Sequence, residues 1–132
     1  QNPDYDKQFA TVDEAGRLII WDAKKGVKIC EEPKVGNGLL RTVAIEPREG
    51  NLVACGGIDT KLHIYSINPN NVNRNQKLNL IEKQKELSGH QGLITCCKFM
   101  SQQFLISGSD DSSIMVWDFE KPGRYLVKYT DH

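Results

Sequence analysis

Residues 89–118 read GHQGLITCCKFMSQQFLISGSDDSSIMVWD, and the order of features in this stretch decides the fold. Gly89-His90 opens it. An apolar run over 94–99 follows, and a second run over 104–107 ends in small residues. Asp111 then stands six positions before Trp117, and Asp118 closes the unit. Short runs that alternate apolar with polar, separated by turn residues, are the pattern of half-buried antiparallel strands.

The unit recurs. Trp21-Asp22 closes a run that begins near Phe9, and Tyr65-Ser66 closes a second that begins near Leu39. Trp21 and Tyr65 lie 44 positions apart, within the spacing of about 40–45 that marks the WD repeat of a β-propeller. Tyr65 and Trp117 lie 52 apart, and the surplus falls in NPNNVNRNQKLN, residues 68–79. Asn and Pro favour turns, so this reads as a surface loop, a tolerated insertion between strands. The expected fold class is all-β: a WD-repeat β-propeller with about three four-stranded antiparallel blades of a seven-bladed ring. The expected strands are 9–11, 18–22 and 27–31 in a blade remnant spanning 1–33. A blade over 34–88 takes 39–45, 52–55, 62–66 and 80–87, and one over 89–130 takes 94–99, 104–107, 114–118 and 125–129. Asp131-His132 matches the dipeptide that opens a further blade. Closed propellers need roughly four to eight blades, so the sequence is expected to be a piece of a longer chain. By itself it should be prone to association, because an open array leaves an apolar sheet face uncovered.

Composition narrows the function. Seventeen basic and 17 acidic residues cancel, which argues against a nucleic-acid or anionic-membrane surface, since both require positive excess. No apolar run approaches the ~20 residues that cross a bilayer, so direct membrane insertion is not expected. Cys96 and Cys97 are adjacent on a strand, point to opposite faces and cannot share a metal; Cys30 and Cys55 complete the set without zinc-type spacing. No metal or cofactor is expected, and a reducing cytoplasm fits the cysteine usage best.

His90, Ser107 and Asp111 have the residue types of a hydrolase triad. The structural reading is stronger. In a blade, the Trp117 ring N–H can donate to Ser107, Ser107 can pair with His90, and His90 with Asp111 in the turn between the middle strands. Such a chain satisfies polar groups between strands, and nothing beside it suggests an exposed nucleophile or an oxyanion site. No catalytic residue is assigned. The second blade has Cys55, Asp59 and Tyr65 at the matching places, and the first has Thr11, Ala15 and Trp21. His63, alternating with Leu62 and Ile64, is expected to be a surface or groove imidazole.

Four segments carry a closer likeness: AGRLIIWDAKKGVKI (15–29), GNLVACGGID (50–59), IYSI (64–67) and KELSGHQGLITCCKF (85–99). They resemble the first three blades of the β subunit of heterotrimeric G proteins. That resemblance implies a seven-bladed propeller that pairs with a small γ subunit, binds a GTPase α subunit in its GDP state and signals to effectors. It implies that Arg17, Ile19 and Lys28 form an edge for the α subunit's N-terminal helix. It also implies that Glu14, Leu39, Arg41, Ile58 and Leu93 form the face for the switch region. The family usually places Trp at Leu39, Met at Arg41 and Tyr at Leu93, so this chain lacks the usual aromatic anchors. The implied location is the cytoplasm, at the inner face of the plasma membrane through partners. The alternative is a general WD-repeat scaffold or adaptor: kinase-docking, ribosome-associated, or a ubiquitin-ligase substrate receptor.

Overall fold

In a computed structural model, the described residues are 8–48, 50–67, 81–119 and 125–130, the last with the side chain of Tyr129 alone. The sequence expectations for the Asn-rich loop over 68–79, the strand start at Leu80 and the blade opening at Asp131-His132 lie outside these residues.

Among the described residues, eleven strands build three antiparallel sheets. The first contains β1 (Gln8–Val12), β2 (Leu18–Asp22) and β3 (Val27–Glu32), in that order. The second contains β4 (Leu40–Ile45), β5 (Leu52–Gly57), β6 (Lys61–Ile67) and β7 (Ile81–Ser88) as a meander. The third contains β8 (Ile94–Phe99), β9 (Phe104–Ser109), β10 (Ser113–Asp118) and β11 (Tyr125–Thr130), again in chain order. Each sheet is a run of adjacent hairpins, as expected when polar turns of a few residues separate short β-branched and aromatic runs.

The three sheets share their irregularities. Pairing shifts by a residue between Ile20 and Trp21, Ile64 and Tyr65, and Val116 and Trp117, one position before each closing aromatic. It shifts again at the start of the inner strands, Leu40/Thr42 and Ile94/Cys96. A bulge sharpens the strand twist, so bulges at matching places give the sheets matching curvature.

Stacking follows from the period of two along each strand. On β5 and β6, Val53, Cys55, Tyr65 and Ile67 face the first sheet and pack with Leu18, Ile20, Val35 and Leu40. Ala54, Leu62 and Ile64 face the other way and join Ile94, Phe99, Leu105, Met115, Trp117 and Phe119 of the third sheet. The second sheet is therefore covered on both faces, and β5 and β6 are buried almost continuously. Each fully buried side chain of Leu or Ile size contributes about 1.5–3 kcal/mol. A charge at Leu62, whose exposure is nil, would separate the second and third sheets. Small residues permit the close approach: a Cβ on Gly56 would meet the Ile94 side chain at 2.9 Å.

β7 is the outer strand of its sheet and reads IEKQKELS. Glu82, Lys83, Gln84 and Glu86 are exposed on it, with Glu86 paired to Lys83 and, at 3.8 Å, to Lys61.

Candidate protein-interaction surface

The turns between middle strands and the loops that enter inner strands meet at one end of the sheets, tied by backbone hydrogen bonds. Leu40 N–H donates to Asp13 C=O (3.0 Å) and Val35 N–H to Gly16 C=O (2.8 Å), joining the first sheet's turn to the next loop. Ile58 N–H donates to Leu39 C=O (3.0 Å), and Asp110 N–H to Leu93 C=O (2.9 Å). Glu14, Leu39, Arg41, Ile58 and Leu93 all lie on or beside this belt. Glu14 and Arg41 are exposed, Leu39 and Leu93 half-buried, and Ile58 is 56% exposed, the most open apolar side chain of the five.

Arg17, Ile19 and Lys28 do not join the belt as a unit. Arg17 borders it, with its guanidinium on Asp13 at 2.7 Å. Ile19 is half-buried on the middle strand of the first sheet, opposite Thr11 and Glu31. Lys28 lies on the outer strand β3 and pairs with Glu31 at 2.8 Å. Both basic groups are exposed and already partnered, a geometry that adds little to stability.

Beneath the third blade's part of the belt runs a buried polar chain. Trp117 Nε1–H donates to Ser107 Oγ at 2.8 Å, and Ser107 Oγ lies 2.8 Å from His90 Nε2. The expected direct hydrogen bond from His90 to Asp111 does not form. His90 Nδ1 is 3.6 Å from Asp111 Oδ2 but 2.7 Å from Ser113 Oγ, and Ser113 Oγ donates to Asp111 Oδ1. The carboxylate is turned toward the backbone instead, where it accepts N–H bonds from Gln91 (2.7 Å) and Ser113 (2.9 Å). Because a carboxylate only accepts, the Ser113 proton goes to Asp111, and Ser113 must accept from His90 Nδ1–H. His90 Nε2 then accepts the Ser107 proton. Burial pushes the Asp111 carboxyl up, but the Gln91 and Ser113 donors and nearby His90 outweigh it and hold it well below the ordinary carboxylate range. Every polar side-chain atom of this network has a partner within the protein.

The first blade solves the same turn without that Asp. Ala15 holds its place, and Asp13 instead accepts the N–H groups of Ala15 (3.0 Å) and Arg17 (2.9 Å). The next residue needs a left-handed backbone in all three blades: φ is +88° at Gly16, +69° at Thr60 and +70° at Ser112. Glycine adopts it freely, whereas Thr and Ser are strained. The two non-glycine residues occur where Asp59 or Asp111 stands just before and accepts the N–H just after. Trp21 Nε1–H meets Thr11 Oγ1 at 2.9 Å, as Trp117 meets Ser107.

In the second blade the structure corrects the placement of His63. Its side chain is buried rather than at the surface, with 1% exposure, and its Nε2 lies 2.8 Å from Asp59 Oδ2. On β6 it points into the sheet toward the first blade, as Tyr65 does two residues on. Sequence reasoning did not single out Ser113, and it neither turned His63 inward nor marked Gly36. Laying the second blade on the third would have found the last two, because His63 then falls on Met115 and Gly36 on His90.

The cysteines lie as strand alternation requires: Cys96 is exposed, and Cys97 turns the other way, 3.7 Å from Ala54 O and 3.8 Å from Thr42 Oγ1. All four are free thiols, and burial pushes Cys30 and Cys97 up to about 11 and Cys55 further. Among the described residues no cluster of His, Cys, Asp and Glu could hold a metal ion. Among the described residues there is no helix long and apolar enough to cross a membrane.

Comparison with known proteins agrees with this geometry. Residues 81–118 match the family described as WD domain, G-beta repeat. Over 126 residues the chain is 31% identical to the guanine nucleotide-binding protein subunit beta of Lymnaea stagnalis, covering 96% of this chain and 34% of that protein. The chain thus spans about a third of the length of this curated relative. The solved structure of U3-55K superposes with a TM-score of 0.78 over 98% of this chain and 38% of its own, at 18% identity, a likeness of fold alone. Three antiparallel sheets stacked through shared faces, with a WD-repeat match over residues 81–118, give this chain the architecture of part of a WD-repeat β-propeller.

Proposed function

We propose that this chain is part of a non-catalytic signalling subunit resembling the G-protein β subunit, which binds a GDP-loaded α GTPase and a γ subunit and passes receptor signals to effectors. The observation that carries this reading is the belt of Glu14, Leu39, Ile58 and Leu93 on hydrogen-bonded loops of successive blades. The likeness to the Lymnaea stagnalis β subunit supports it. In this reading Arg17, Ile19 and Lys28 flank the belt and meet the α subunit's N-terminal helix. Arg41 joins Leu39 against the switch region. The protein works in the cytoplasm, reaching the inner face of the plasma membrane through its partners, without nucleic acid, metal or cofactor.

A second reading rests on a specific departure. Aromatic side chains dominate hot spots of protein interfaces, and Leu39 and Leu93 stand where the G-protein β subunits usually carry Trp and Tyr. A general WD-repeat scaffold would use the same belt for a different protein. Binding of the full-length protein to its cognate α subunit, loaded with GDP or with a GTP analogue, separates the two. Tight binding to the GDP form alone supports the signalling subunit. Binding indifferent to nucleotide, or none, leaves the scaffold.

A further inference from the structure

The second and third blades can be aligned by register. Val43 pairs with Cys55 as Cys97 pairs with Ser107, and Cys55 pairs with His63 as Ser107 pairs with Met115. Counting back seven residues from Val43 and from Cys97 places Gly36 at the position of His90. In the third blade the imidazole descends from the loop, and the strand position carries Met115. In the second blade the strand position carries the imidazole, and the loop position has no side chain.

The space is the same in both. A Cβ on Gly36 would fall on Asp59 Oδ2 and within 2.8 Å of His63 Nε2, so the ring and its carboxylate fill the volume that a loop side chain would enter. Gly36 also has φ +64°, a left-handed backbone that glycine adopts freely. The two rings use their nitrogens differently. His63 Nε2 must donate, because its partner is a carboxylate, and His63 Nδ1 is buried with no hydrogen-bond partner among the described residues. His90 uses both ring nitrogens.

We propose that His63 is a positioning residue for the candidate surface: from the strand it fixes the turn over 57–60 and, through that turn, the loop over 36–39. The link is short. Asp59 follows Ile58, whose N–H is held by Leu39 C=O, and Leu39 and Ile58 are the apolar pair of the belt in this blade. Gly36 is glycine because the imidazole arrives from below. The bearing of this role on partner binding rests on the function proposed above; the role in setting the loops does not.

Amide hydrogen exchange in the full-length protein tests it without any partner. His63→Ser should speed exchange at Ile58 by at least about tenfold, the factor that losing one ordinary hydrogen bond corresponds to. Asp110, which makes the equivalent bond to Leu93 in the third blade, should be unchanged. His63→Gln, which keeps a donor near Asp59, should restore most of the protection. Equal acceleration at Ile58 and Asp110, or none at Ile58, overturns the proposal. Should His63→Ser fail to fold, ring 15N signals of the unaltered protein decide: His63 with its proton on Nε2 and a bare Nδ1 supports the assignment, and a proton on Nδ1 alone defeats it. If Ile58 responds while the unaltered protein binds no α subunit, the positioning role stands and the signalling reading alone is lost.

Discussion

Ser113 bridges His90 and Asp111: the ring and the carboxylate are 3.6 Å apart, while Ser113 Oγ is 2.7 Å from the ring and donates to the acid. The hydroxyl is therefore both acceptor and donor in a chain that begins at Trp117. Ser113→Ala should leave His90 Nδ1–H buried without this acceptor and cost about 1–3 kcal/mol. Ser113→Thr, which keeps the hydroxyl, should cost less. Denaturant midpoints of the full-length protein measure both, and an unchanged midpoint for Ser113→Ala would show the bridge to be idle.

Acid should weaken the protein partly through Asp111. Its folded carboxyl titrates below the ordinary value of 3.8, so folding favours the ionised form. A depressed carboxyl contributes stability at higher pH and loses it as pH falls below about 4 through the folded value. Asp111→Asn removes that contribution, so the wild type should lose stability faster than the variant between about pH 4 and 2. Parallel curves for the two proteins would assign the acid sensitivity elsewhere, for instance to Asp13 or Glu86, which are also lowered.

Leu39→Trp should strengthen α-subunit binding if the signalling reading holds. Leu39 is half-buried at the rim of the belt beside exposed Ile58, and a Trp there would add an anchor of the kind that dominates interfaces. A gain of about tenfold is expected, read by titration calorimetry against the GDP-loaded α subunit. Weaker binding would mean that the partner surface has adapted to Leu.

Charge reversal of Arg17 and Lys28 together should weaken the same complex by about tenfold, mainly through slower association, and more strongly at low salt. The fold should tolerate it, because both pairs are exposed surface pairs. An unchanged affinity with normal folding would retire these two residues from the surface.

The meander of strands was legible because the apolar runs at 18–22, 40–45 and 94–99 are short, and Gly, Asp and Asn punctuate them. The closing aromatics Trp21, Tyr65 and Trp117 gave the repeat. The polar chain was legible in part: Trp117, Ser107, His90 and Asp111 were recognisable as a set, but the bridging Ser113 was not. A Ser two positions after an Asp in a turn is common, and only the orientation of the carboxylate toward backbone N–H groups makes it a link. His63 was misread for a related reason. A His alternating with apolar neighbours faces one side of its strand, but alternation cannot say whether that side meets water or another sheet. The missing side chain at Gly36, which makes room for the ring, is local to neither residue's sequence.

The charges along β7 have a consequence for self-assembly. An outer strand offers a row of backbone donors and acceptors to any extended segment that comes alongside. Lys83, Glu82 and Glu86 would bring an in-register copy's like charges face to face, so templated fibre growth from this rim is disfavoured even when many copies are crowded together.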